Sequence, residues 1–261
     1  MGSRMAEQTA LITGASSGIG RELATIFAQH GHPVVLVARS MNRLEELAQE
    51  LHANFRVPAF AITADLAQAD APGKLAEELR RRDLSVDILV NNAGFALRGR
   101  FAQLDLQRQL NMIQVNVAAV THLTRIFLPA MIQRNRGGVM NIASTAAFQA
   151  GPLMAIYYAS KAFVLSFTEA LHEEVAGTAL RVTCLCPGPT ETGFAAVAGA
   201  ENSNLFKRGA GRPDLVAKTG YEALQKNQVI AIPGLMNNMM VLGGKLGPRS
   251  MTRRIAMTLN Q

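Results

Sequence analysis

Short runs of apolar, largely β-branched residues recur along the chain. Longer stretches separate them, and there apolar positions return every three or four residues. Seven runs read as strands: TALIT (9–13), PVVLVA (33–38), VPAFAIT (57–63), VDILV (86–90), GVMNIA (138–143), LRVTCLC (180–186) and QVIAI (228–232). Helical periodicity covers 18–30, 42–53, 68–82, 105–133, 156–176 and 213–227. The strand runs are apolar at consecutive positions instead of alternating, which suits a parallel sheet covered on both faces. Repeated strand–helix units predict an α/β fold, doubly wound, with a mostly parallel seven-stranded sheet. No repeat, low-complexity tract or Pro/Ser linker divides the chain. One domain is therefore expected over 5–235, with 236–261 as its C-terminal extension and MGSR (1–4) as an expression remnant. The stretch 188–212 is rich in Gly, Ala, Thr and Asn and weakly periodic. It reads as a long, lid-like substrate loop.

Composition narrows the class. With 261 residues, 49% hydrophobic and 17% charged, the chain can bury a sizeable core and is not a disordered sequence. Cys184 and Cys186 alternate on one strand, so both thiols face the same side and are expected to stay reduced. No His/Cys cluster has metal-ligand spacing, no apolar run reaches the length of a membrane span, and no signal peptide is evident. A cytoplasmic location without a metal is expected. The net charge of +7 is unevenly placed: residues 1–205 are balanced, while 206–261 carry nine basic and two acidic side chains. That excess attracts anionic partners. No basic face interleaved with aromatics points to nucleic acid. Five of the twelve methionines fall in the segment from Pro233 onwards, and a last helix starting at Pro248 or Ser250 would align Met251, Ile255 and Leu259 on one face beside Arg249, Arg253 and Arg254. Packing on the pocket or on a neighbouring subunit is the preferred reading, and peripheral membrane contact is the alternative.

The chemistry starts at TALITGASSGIGRELA, a strand, a Gly-rich turn and a helix. Gly14 suits the tight turn, Gly18 a close approach of backbone to a pyrophosphate, and Gly20 close helix–sheet packing. The helix N-terminus favours the anion, and Ser16 and Ser17 add donors. The second strand ends in Ala38 and Arg39 where an NAD enzyme usually carries an acid for the ribose 2′-hydroxyl. Arginine there pairs with a 2′-phosphate, so NADP(H) is the expected cofactor.

TGASSGIG (13–20), AD (64–65), NNAG (91–94), Asn116, Ser144, YYASK (157–161) and PGPTET (187–192) together resemble the short-chain dehydrogenase/reductase (SDR) family, over about residues 8–235. The resemblance implies a Rossmann-type fold. It implies that Gly14, Ser16, Ser17, Gly18, Ile19 and Gly20 cradle the phosphates. It puts Asp65 and Leu66 along the adenine, and Asn91, Ala93 and Gly94 at the ribose. Pro187, Gly188, Thr190 and Thr192 would hold the nicotinamide side. Asn116, Ser144, Tyr157 and Lys161 match the catalytic tetrad, of which Tyr157 and Lys161 also touch the cofactor. Family members commonly form dimers or tetramers, so a homodimer or homotetramer is expected.

Two adjacent tyrosines raise a choice. On a helix Lys161 is near both Tyr157 (i+4) and Tyr158 (i+3), and geometry leaves both eligible. The family pattern Y-x-x-x-K selects Tyr157, with Ser144 thirteen positions upstream. Reducing a carbonyl needs a proton at oxygen, and a free phenol of pKa about 10 donates but is a poor base. A Lys161 cation, with the positive nicotinamide of the oxidised complex, is expected to draw Tyr157 towards neutral pH, Ser144 to bind the developing alkoxide, and Asn116 to hold a water behind Lys161. Phe95, Ala96, Phe148, Met154 and Phe194 are the expected pocket rim. The function expected is interconversion of a lipophilic ketone or aldehyde and its alcohol. The alternatives are a 3-oxoacyl-thioester reductase and an NADP-binding sensor with little turnover.

Overall fold

The computed structural model describes residues 8–201, 203–204 and 210–261. MGSR and part of the 188–212 loop lie outside these residues. Seven parallel strands form one sheet: β1 (Ala10–Thr13), β2 (Val34–Ala38), β3 (Ala59–Thr63), β4 (Ile88–Asn91), β5 (Gly138–Ile142), β6 (Arg181–Leu185) and β7 (Ile230–Ala231). Their order is β3-β2-β1-β4-β5-β6-β7. β1 therefore pairs with β2 on one side and β4 on the other, and the chain reverses direction across the sheet between them. A crevice opens beyond the carboxyl ends of these strands, where open α/β sheets place ligands. Every strand run in the sequence forms a strand, but β7 keeps only two residues because Pro233 and Gly234 end it.

Side chains leave a strand alternately on opposite faces. Ile12, Leu36 and Val90 join one buried cluster with Leu23 and Phe27 of α1 (Gly18–Gln29) and Leu44 and Leu47 of α2 (Met41–Phe55). Their neighbours Leu11, Val35 and Leu89 join a second cluster on the other face, with Leu75 and Leu79 of α3 (Ala71–Arg81). That cluster also takes Leu123 of α4 (Leu106–Arg134) and Leu171 of α5 (Ala155–Glu174). Two-sided burial is why these runs do not alternate, and each buried Leu or Ile stabilises the fold by about 1.5–3 kcal/mol.

The helix α4 is interrupted by a π-helical turn at Gln114–Ala118, centred on Asn116. By length and composition α4 could cross a membrane, which corrects the expectation that no segment is long and apolar enough. Its scattered polar positions hid the run. In the fold it packs one face on the sheet, burying Val115, Ala119, Val120, Leu123 and Met131.

Beyond β6, α6 (Phe194–Ala198) lies inside the 188–212 loop, whose ends meet where Thr190 pairs with Gly211. After α7 (Pro213–Gln225) and β7 come α8 (Leu235–Leu246) and α9 (Arg249–Asn260). The sequence points to α9 at its observed start. It does not point to α8, whose one charged position, Lys245, falls in the last turn after two glycines, so no charged face marks a helix.

Candidate active site

One cleft of about 1020 Å³ runs from the end of β1 to α9. Its floor at β1 is built by glycine. Gly14 and Gly18 have φ of +67° and +55°. A Cβ at Gly14 would lie 2.8 Å from Asn92 Nδ2, and one at Gly18 would lie 2.8 Å from the Thr192 methyl. A Cβ at Gly20 would strike the Gly14 carbonyl, so Gly20 lets α1 close on its own loop. Ser17 caps α1 without a side-chain hydrogen bond, which leaves first-turn N–H groups to meet an anion. Ser16, Ser17, Gly18 and Ile19 all line the cleft.

The β1 and β4 ends are tied together. Asn92 donates from Nδ2 to the Thr13 carbonyl at 2.9 Å, and the N–H groups of Asn92 and Ala93 both donate to Thr13 Oγ1 at 3.0 Å. Asn91 is a correction. It was expected at the ribose, but its side chain points the other way, donating to Thr124 Oγ1 at 3.1 Å and Asn141 Oδ1 at 2.9 Å. Alternation along β4 sends Asn91 under the helices and leaves Asn92 on the cleft wall. The NN pair gives no sign in sequence of which one faces out.

At the adenosine end, Arg39, Ser40 and Arg43 line the wall with Ala64, Asp65, Leu66 and Ala67. Arg43 was not expected. It lies one helical turn after Arg39, on α2. Neither β2 nor its end carries a carboxylate. Opposite, Pro187, Gly188, Thr190 and Thr192 line the wall past β6.

Ser144, Tyr157 and Lys161 meet in the middle of the cleft. The Tyr157 hydroxyl faces the Ser144 side chain, which opposes the rise of its pKa. Ser144 Oγ accepts from the Ala146 N–H at 3.1 Å and lies 3.3 Å from the Pro187 carbonyl. Lys161 Nζ donates to the Ile142 carbonyl at 2.7 Å and sits 5.8 Å from the centre of the Tyr157 ring. The expected softening of the phenol by Lys161 is not found in the protein alone. Burial pushes Tyr157 up to about 12, opposed by the Ser144 side chain, and burial pushes Lys161 down to about 8. Desolvation outweighs the neighbouring charge here. Tyr157 is thus a neutral proton donor facing Ser144.

Asn116 does not reach the cleft wall. Its amide accepts from the Phe95 N–H at 3.2 Å and donates to the Phe95 carbonyl at 3.0 Å and Ser160 Oγ at 3.1 Å. A Cβ on Gly94 would fall 3.1 Å from Asn116 Oδ1 and 3.5 Å from Lys161 Nζ, so the absence of a side chain keeps these two close. The π turn aims Asn116 at the 94–95 loop, a use of π-bulges common at functional sites.

The second tyrosine has a different task. The Tyr158 hydroxyl donates to Asn260 Oδ1 at 3.2 Å, and its ring stands edge-on to Tyr157 with centroids 6.1 Å apart. Asn260, buried at the end of α9, also donates to the Pro152 carbonyl at 2.9 Å. Arg98 holds the Asn260 and Gln261 carbonyls. This anchor places α9 over the cleft. Phe95, Phe148, Met154 and Phe194 line the substrate end, joined by Met240, Val241, Met251, Ile255 and Leu259 from α8 and α9. Ala96 is buried behind them. The spacing of Met251, Ile255 and Leu259 marks one α9 face in sequence, but nothing there says which partner it meets. Among the described residues no group of three His, Cys, Asp or Glu could hold a metal ion.

Residues 8–203 match the family model of the short chain dehydrogenases. The ketoacyl reductase HetN of Nostoc is 30% identical over 253 residues, covering 94% of this chain and 87% of its own. A short-chain dehydrogenase from Sphingobium yanoikuyae in complex with NADPH is 33% identical with a TM-score of 0.82, covering 91% of this chain and 92% of its own. One from Burkholderia phymatum in complex with NAD is 27% identical with a TM-score of 0.81, covering 91% and 92%.

Proposed function

The chain belongs to the short chain dehydrogenase family, and we propose that it is an NADP(H)-dependent oxidoreductase that interconverts a lipophilic carbonyl compound and its alcohol, with Tyr157 as general acid and base. The observation that carries this reading is the meeting of Ser144, Tyr157 and Lys161 on the wall of one cleft that starts at a glycine cradle. The cradle fits a dinucleotide: a side chain at Gly18 would fill it, and the first turn of α1 has N–H groups to spare. Gly14 to Gly20 would hold the pyrophosphate, Asp65 and Leu66 the adenine, and Lys161, Thr190 and Thr192 the nicotinamide half. When bound, that group supplies or takes up hydride at the substrate carbon.

The remaining work falls to side chains. Ser144 Oγ orients the substrate oxygen and stabilises negative charge growing on it. Tyr157, kept neutral by burial, gives its proton to that oxygen in reduction. In alcohol oxidation Tyr157 must first be a phenolate to take the alcohol's proton, and a protonated Lys161 stabilises that form. Asn116 acts through position, pinning Phe95 to α5 so that Gly94 stays open beside Lys161.

The preference for NADP(H) is supported by Arg39 and Arg43 at the adenosine end, with no carboxylate at the end of β2, and by the NADPH-bound relative; the NAD-bound relative makes a direct test necessary. Arg39→Ala is expected to weaken NADPH binding roughly tenfold or more and to leave NADH unchanged. Equal loss for both cofactors would refute the assignment.

A second reading, reduction of a 3-oxoacyl thioester, is favoured by the name of the Nostoc relative and by exposed Arg249 and Arg253 on the helix that lines the cleft. Loss of NADPH absorbance with bulky ketones and with acetoacetyl thioesters separates the two. Inactivity across both classes, with NADPH still bound, would instead favour a nucleotide sensor.

A further inference from the structure

The helices α8 and α9 present apolar surface on two sides. One side belongs to the cleft, through Val241, Met251, Ile255 and Leu259. The other faces outward. Leu235 is 79% exposed, Met236 68%, Met239 59% and Leu242 59%. No charged residue occurs between Lys226 and Lys245. The two asparagines of α8 are spent on backbone: Asn237 donates to the Pro233 carbonyl at 2.7 Å, and Asn238 to the Ile232 and Gly234 carbonyls at 2.8 and 2.9 Å. Leu235, Met236, Met239 and Leu242 form the apolar part of what α8 shows to solvent. A contiguous patch of this kind marks an interaction surface.

Charge decides the partner. Arg249, Arg253 and Arg254 of α9 are exposed, and none is in an ion pair among the described residues. No Asp or Glu follows Glu222. A twofold contact confined to α8 and α9 pairs this face with itself, and neither helix carries a carboxylate to meet the arginines. Anionic lipid headgroups supply the missing charge, and acyl chains take the methionines and leucines. We infer that α8 and the arginines of α9 dock the protein on an anionic membrane surface. The same two helices wall the cleft, so docking lays its mouth beside lipid. That consequence for substrate entry rests on the lipophilic-carbonyl reading; the docking does not.

The test uses the whole chain without substrate, sedimented with vesicles of phosphatidylcholine alone or mixed with phosphatidylglycerol. Binding to the mixed vesicles that falls with added salt is expected. Met236→Gln/Met239→Gln/Leu242→Gln and, separately, Arg249→Glu/Arg253→Glu should each weaken it roughly tenfold or more. These side chains do not line the cleft, so NADPH affinity reports that both variants are folded. No binding to either vesicle by the unaltered protein overturns the inference. So does a mass in light scattering that drops only in the Met/Leu variant without vesicle binding, which would assign the face to a second copy. An oxidoreductase assay that fails leaves this result standing, because no turnover is read.

Discussion

Lys161 and Tyr157 are buried titratable groups with opposite costs. Lys161 falls to about 8 from an ordinary 10.5, so between those pH values the unfolded chain holds a proton that the folded chain has released. Stability must then rise with pH across that window. Tyr157, raised to about 12 from 10.0, acts with the other sign and only above pH 10, where the unfolded phenol ionises first and stability falls. Urea midpoints at pH 7.5 and 9.5 check the first effect. The apoprotein should gain stability between them relative to Lys161→Met, and Lys161→Met should be the more stable of the two at the lower pH while losing activity. Parallel pH profiles for both proteins would contradict it. At this scale the sequence was legible where a motif names a residue by spacing. It was silent where strand alternation decides, as for Asn91 and Asn92. Nor does it show how deeply the phenol is buried, because desolvation is a property of the packed site.

Among elements, the seven strands were readable because each is apolar on both faces, a pattern set by β1 to β6 having helices above and below. The π turn in α4 was not readable: nothing in QVNVA departs from helical propensity, and the turn follows from fitting Asn116 to Phe95 and Ser160. Nor was α8, which has no charged face. The anchoring of α9 yields a prediction at this level. Asn260→Ala leaves the buried Tyr158 hydroxyl and Pro152 carbonyl without their partner, which costs about 1–3 kcal/mol. Thermal unfolding should move down accordingly, and KM for bulky ketones should rise several-fold while NADPH affinity holds, because α9 lines the substrate end only. An unchanged KM across small and bulky substrates would show that α9 does not shape the pocket. Tyr158→Phe should give a milder form of the same phenotype with appreciable turnover.

On the scale of the whole molecule, exposed apolar side chains among the described residues include the α8 face and a second group, Leu106, Leu110 and Ile113 of α4 and Phe163 of α5. The second suits a contact between copies, in line with the expected dimer or tetramer. Light scattering should give a multiple of the 28.0 kDa chain that falls to one chain in Leu110→Arg/Ile113→Arg. A monomer at working concentration would remove that expectation. The uneven charge of the sequence also finds its place, since the exposed arginines of α9 stand beside the cleft mouth. The central claim, however, is chemical: Tyr157 delivers the proton in an NADPH-dependent carbonyl reduction. The most direct measurement is the loss of NADPH absorbance with a panel of bulky ketones, for the unaltered protein and for Tyr157→Phe. Turnover by the unaltered protein, falling by about 10²–10⁴-fold in Tyr157→Phe with unchanged NADPH affinity, is the predicted result. Equal turnover by the two proteins would contradict the account.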